Sequence, residues 1–168
     1  MDLHLQADQD FGADPDTVFA LALDAARFPE FFTGFGPIPA VRQITAHAPP
    51  AVGSTRELIN GDGSRLHERI TALDAPRHHA YTLTGLRPPL AWLVRAGHAN
   101  WRFTPTAHGT HVRWQYRWTL TSPLAWPLAA PLLRVFMRGA MARCLAAMAA
   151  ALADAPARAL PPHIRTEH

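Results

Sequence analysis

Arg56 and Glu68 offer the most chemistry in this 168-residue sequence. Arg56, Leu58 and Asn60 precede the loop Gly61-Asp62-Gly63, and Ser64, Leu66, Glu68 and Ile70 follow it. Two strands joined by such a three-residue loop pair Leu58 with Leu66 and Arg56 with Glu68. A period of two puts all of these side chains on one face. If Leu66 and Ile70 point inward, the two charges sit opposite each other on the inner face, where an unpaired charge is costly. Three readings stay open. The pair is a polar anchor in an apolar cavity, or Glu68 is a carboxylate poised for proton transfer to a carbonyl substrate with Arg56 holding an enolate oxygen, or the two form a structural ion pair. A register one residue off would expose Glu68. The anchor reading expects Glu68→Gln to change ligand affinity without unfolding the protein.

A second group is aromatic. Trp101, Phe103, Trp114, Tyr116 and Trp118 alternate with polar neighbours, and Tyr81 and Leu83 share a face of an earlier segment. Such rings line a pocket and stack on a ring-bearing ligand, or simply pack a core. The hydroxyls of Tyr81 and Tyr116 need partners if buried, and a ligand carbonyl is one such partner. Met137, Met141 and Met148 recur at helical spacing, which suits an adaptable lid surface or plain core. Among the ten histidines, His78 and His79 are adjacent and point to opposite faces of a strand, and no H-x-x-x-H or Cys/His pairing occurs. The histidines read as solvated and no metal site is expected. The lone Cys144 sits among apolar residues, no G-x-S-x-G occurs, and Gly34-Phe35-Gly36 does not extend to a dinucleotide fingerprint. No cofactor is implied.

The elements that must hold these residues follow from periodicity. Leu3 to Phe11 alternates as a strand. Asp14-Pro15 then opens a helix to about Ala26, with a short second helix from Phe28 to Phe32. Strands follow over Ile38–His47, Gly53–Asn60, Ser64–Leu73, Arg77–Gly85, Gly97–Thr104 and Thr110–Thr121, with an excursion at Leu86–Ala96. Leu132 to Asp154 has strong helix formers, no proline and an apolar stripe. The fold class is α+β: a curved antiparallel sheet of about seven strands wrapped around a long C-terminal helix. Residues 1–155 form one domain, and the proline-bearing tail 156–168 is expected to be mobile.

Composition fits a globular chain, with 48% hydrophobic and 17% charged residues. All sixteen basic residues are arginine, against thirteen acids, for a net charge of +3. Arg113 and Arg117 alternate away from the aromatics, which argues against nucleic acid. One cysteine excludes an internal disulfide framework, the N-terminus lacks a signal-like apolar run, and a cytoplasmic location is expected. The longest uncharged stretch, Trp118 to Leu133, is shorter than the ~20 residues of a membrane span. Within it, Leu124 to Leu133 is unusually apolar for a connection. It suits a pocket mouth, a homodimer contact or a membrane-touching edge, or it packs against the apolar stretch Leu86 to Leu93; a further reading makes the chain an accessory module that binds a partner or membrane through it.

Three stretches carry a family resemblance: DFGADPDTVFALALDAARFPEFF, the run from VGSTREL to YTLTG, and WRFTPTAHGTHVRWQYRWTL. Together they resemble the START/birch-pollen-allergen (SRPBCC) superfamily, and within it the polyketide cyclase/dehydrase-like proteins, over about Leu3 to Leu152. The resemblance implies a helix-grip fold with an internal apolar cavity. It also implies a small hydrophobic ligand, lipid-like, polyketide-like or aromatic, held by a carrier or sensor, or by a cyclase or dehydratase. It carries no catalytic signature.

Overall fold

The structure, a computed structural model, describes residues 1–154. The chain runs β1 (Asp2–Phe11), α1 (Pro15–Leu23), α2 (Phe28–Phe31), β2 (Val41–Ala46), β3 (Thr55–Asn60), β4 (Arg65–Asp74), β5 (His78–Thr84), α3 (Leu90–Leu93), β6 (Val94–Thr106), β7 (Gly109–Leu120), α4 (Trp126–Leu132) and α5 (Arg138–Ala153). The seven strands form one antiparallel sheet in the order β1-β7-β6-β5-β4-β3-β2. This is the helix-grip fold. The expected tail 156–168 lies outside the described residues.

Alternation decides which face is covered. On β7, Val112, Trp114, Tyr116, Trp118 and Leu120 are buried, while Arg113, Gln115 and Arg117 are exposed. One wet and one buried face is the pattern of an antiparallel sheet with a single covering layer. That layer is α5, whose Met141, Cys144, Leu145 and Met148 are fully buried.

Local chemistry fixes the ends of α1. The Asp14 carboxylate accepts the Thr17 N–H at 3.0 Å and the Thr17 hydroxyl at 2.7 Å, and Pro15 occupies the first turn, where its missing N–H costs nothing. These bonds hold the Asp14 carboxyl below its usual range. The helix stops at Leu23, short of the expected Ala26, because Asp24 accepts the N–H groups of Ala26 at 2.9 Å and Arg27 at 3.1 Å. That turn feeds directly into α2. Asp14→Ala is expected to lower stability by about 1 kcal/mol, measured as a smaller urea midpoint with an unchanged slope.

Several boundaries differ from the sequence expectation. β2 begins at Val41, since Ile38 instead bridges Phe35. β3 begins at Thr55, after a turn in which Ser54 and Ala51 hydrogen-bond each other. The expected excursion at Leu86–Ala96 shrinks: α3 spans Leu90–Leu93, and β6 starts at Val94. The largest correction concerns Leu124 to Leu133. This segment is helical, and with α5 it forms one helical run from Pro123 to Ala153. Pro127 is accommodated because the first turn of a helix needs no N–H donors. Pro131 lies inside the helix, and a π turn follows it at Leu133–Met137. This run is long and apolar enough to cross a membrane by length and composition. Its α5 half packs against the sheet as the core helix of the fold.

Candidate ligand cavity

The β3–β4 register pairs Leu58 with Leu66 and Arg56 with Glu68. Gly63 supplies the positive φ (79°) that the turn between these strands requires. Asn60 and Ser64 close the hairpin through Asn60 Nδ2–H to Ser64 Oγ, at 2.8 Å. The Ser64 hydroxyl and N–H both donate to Asp62, which lowers the Asp62 pKa.

Above this hairpin lies a cavity of about 150 Å³. Its sheet wall is Leu58, Leu66, Tyr81, Leu83, Trp114, Tyr116 and Trp118, taken from β3, β4, β5 and β7. Phe28 and Phe32 close one side, and Leu132 and Met137 approach from the helical run. The mouth is edged by Pro37 to Pro39 and by Leu86 to Leu90. The lining is mostly apolar, with Asn60, Asp62 and Ser64 gathered at the hairpin end. Trp118 lies across β6 at Gly97, where a Cβ would come within 2.8 Å of the indole. Gly97 therefore makes room for that wall.

Two polar features lie within this wall. The hydroxyls of Tyr81 and Tyr116 hydrogen-bond each other at 2.9 Å. Burial pushes both phenols well above their ordinary pKa, so they remain neutral hydroxyls. The indole N–H groups of Trp114 and Trp118 are buried without an acceptor. A buried donor left unpaired costs about 1–3 kcal/mol, and neither nitrogen is open to the cavity.

Arg56 and Glu68 lie behind this wall. They border a separate void of about 20 Å³ with His79, Trp101, Ile44 and Ala22, and they share Phe28, Leu58 and Tyr81 with the larger cavity. Both charged residues are buried, 7% and 3% exposed. Arg56 Nε donates to Glu68 Oε1 at 2.8 Å, and Nη2 donates to the same oxygen. Arg56 Nη1 donates to the Leu23 carbonyl at 3.4 Å, at the negative end of α1. Burial pushes the Glu68 carboxyl up and the Arg56 charge pulls it down, with burial the larger effect. The two side chains are thus each other's charge partner in a site closed to water, the arrangement a buried ion pair needs. Trp101 borders only the smaller void, while Ile70, Phe103 and Met141 are buried and border neither.

His79 corrects the expectation of solvated histidines. It is 1% exposed, and neither ring nitrogen has a hydrogen-bond partner. Burial, reinforced by the Arg56 charge, depresses its pKa to about 3. The folded protein thus holds a neutral imidazole where the unfolded chain titrates near 6.5. As pH falls through 6.5 toward 3, the unfolded state binds a proton that the native state refuses, so stability falls with pH. The loss is at most about 1.4 kcal/mol per pH unit. His79→Leu is expected to flatten this dependence between pH 7 and 4.5, read from urea unfolding at each pH. An unchanged slope would show that His79 does not supply it. Among the described residues no group of His, Cys, Asp and Glu could hold a metal ion.

Comparison with known proteins agrees with this architecture. MLL2253 from Mesorhizobium loti superposes with a TM-score of 0.70 at 15% identity, covering 92% of this chain and 100% of that one. Truncated norcoclaurine synthase from Thalictrum flavum gives 0.69 at 13%, covering 92% and 95%. The di-domain ARO/CYC StfQ of the steffimycin biosynthetic pathway gives 0.69 at 18%, covering 89% of this chain and 50% of that one. At these identities the likeness establishes the fold alone. No curated protein matches the sequence. A family model described as polyketide cyclase/dehydrase and lipid transport matches residues 2–153. That span holds every strand and helix just described, and the chain belongs to this family.

Proposed function

We propose that the protein binds a small hydrophobic molecule bearing a ring and an oxygen acceptor, and acts as its carrier or sensor. The observation that carries this reading is the cavity, apolar along its walls and polar at the hairpin end. Its volume of about 150 Å³ is on the scale of apolar cavities that admit benzene, about 150 Å³, and below the roughly 300–1,000 Å³ of drug-sized sites. A one- or two-ring guest suits it better than a long acyl chain. Stacking on Trp114, Tyr116 and Trp118 would orient the ring, with Leu58, Leu66, Leu83 and Met137 supplying apolar contact. The Tyr81 or Tyr116 hydroxyl would meet the oxygen.

Catalysis as a cyclase or dehydratase is the second reading, favoured by the family. The acid–base groups limit it. Glu68 is held by Arg56 in the smaller void, Asp62 is occupied by Ser64, and the tyrosines stay neutral. A free base facing the larger cavity is thus missing among its described lining residues, which supports carriage over turnover. A cytoplasmic location accords with the lone, buried Cys144.

Native mass spectrometry of the freshly purified protein, with titration of 2-naphthol followed by tryptophan quenching, tests the carrier reading. Saturable one-to-one binding, or a retained aromatic guest released on unfolding, is expected. Non-saturating quenching and a guest-free mass would overturn it.

A further inference from the structure

Seven large hydrophobic side chains are exposed among the described residues, and five of them fall on two segments. Trp92, in α3, is 70% exposed. Leu124, Leu128 and Val135 share one side of the helical run at 89%, 67% and 56%, and Trp126, 37% exposed, emerges at the other. These segments adjoin: the Thr121 hydroxyl donates to the Trp92 carbonyl at 2.7 Å, and the Thr121 N–H donates to the Leu93 carbonyl at 3.0 Å. The side opposite Leu124 and Leu128, which carries Ala129, Ala130 and Leu133 beside Trp126, is already largely buried. The helix is therefore apolar on both sides, an arrangement that calls for a second apolar covering.

Charge indicates what that covering is. Between Asp74 and Asp154 the sequence has nine arginines and no acidic residue. Arg87 edges the cavity mouth, and Arg95 donates to the Thr121 carbonyl at 3.1 Å. Arg134 lies 5.5 Å from the Trp126 ring, and Arg138, one turn later, donates from Nε to the Gln6 carbonyl of β1 at 3.2 Å. All four are exposed. Asp62, at the hairpin, senses Arg87 and is the acidic group of the mouth. A second copy docked through this face would set like charges against each other. An exposed surface of tryptophan, leucine and arginine matches a bilayer interface carrying anionic headgroups.

We propose that the face formed by Trp92, Leu124, Leu128 and Val135, flanked by Arg87, Arg95 and Arg134, docks on an anionic lipid bilayer. The same two segments supply Leu86 to Leu90, Leu132 and Met137 to the cavity. Docking would turn the mouth toward the bilayer, so an apolar guest could pass between lipid and cavity without crossing water. Docking does not depend on the cavity being filled. Its failure is distinct from failure of the ligand reading, which is measured without lipid.

Co-sedimentation with vesicles of phosphatidylcholine and phosphatidylglycerol in equal parts, beside vesicles of phosphatidylcholine alone, tests the proposal. Binding to the anionic vesicles is expected, weakening by about fivefold for each arginine removed in Arg95→Gln and Arg134→Gln. Trp92→Ser with Leu128→Ser should abolish it, while Val52→Ser, an exposed apolar residue on another turn, should leave it unchanged. All these sites are exposed, and thermal unfolding checks that each variant folds. Equal binding to both vesicle types, binding to neither, or a lipid-free dimer dissolved by Leu128→Ser would each overturn the proposal.

Discussion

Arg56→Ala is expected to destabilise the protein by about 3–5 kcal/mol, the usual cost of stripping one partner from a buried ion pair. For a chain of this size the melting temperature falls by roughly 6–20 °C. The magnitude follows from geometry. Glu68 is 3% exposed and receives two bonds from one guanidinium, so removing Arg56 leaves a carboxylate that must be buried bare or protonated. Glu68→Gln strands the guanidinium instead and acts in the same direction. The double change Arg56→Met with Glu68→Leu removes both charges together and is expected to recover most of the loss, since apolar replacement of a buried pair is often neutral or better. Calorimetry of the three variants checks this. If Arg56→Ala melts with the parent protein, the pair contributes nothing and the view of it as a structural clamp is wrong.

Leu83→Trp is expected to eliminate ligand binding while the protein still folds. Leu83 is 5% exposed on β5 and borders the larger cavity together with Tyr81 and Trp118. Enlarging a residue in a filled core costs about 1–3 kcal/mol through forced rotamers. Here the added ring has a space of about 150 Å³ to enter. The stability cost should therefore lie at the low end of that range, and the guest loses its place. Calorimetric titration of 2-naphthol reads the binding, and urea unfolding reads the fold. Retained affinity would place the guest elsewhere.

The pairing of Arg56 with Glu68 was legible in the sequence because it depends only on a short loop and a period of two. The buried β7 stripe was legible for the same reason, its alternation running unbroken from Val112 to Leu120. What lies behind and what lies beside a strand is a different matter. Arg56 and Glu68 face inward as the pattern implies, yet Phe28, Leu58 and Tyr81 stand between their void and the larger cavity. That partition depends on how α2 seats against the sheet, a tertiary fact with no local signal.

His79 was within reach: it has the parity of Tyr81 and Leu83, so period two alone puts it on their buried face. Its polar type argued for solvent and masked that signal. The mouth residues Pro37 to Pro39 and Leu86 to Leu90 come from segments about fifty residues apart, which no periodicity could join. The helix through Leu124–Leu133 was hidden by Pro127 and Pro131, which read as loop unless the first sits in an opening turn and the second is relieved by a wider one.

The central claim is best tested by a crystal structure of the protein grown with 2-naphthol. A single ordered ring against Trp114, Tyr116 and Trp118, with its oxygen at hydrogen-bonding distance from a tyrosine hydroxyl, is the predicted result. Side chains closed over the space with the compound absent at saturating concentration, or bound only on the outer surface, would contradict it.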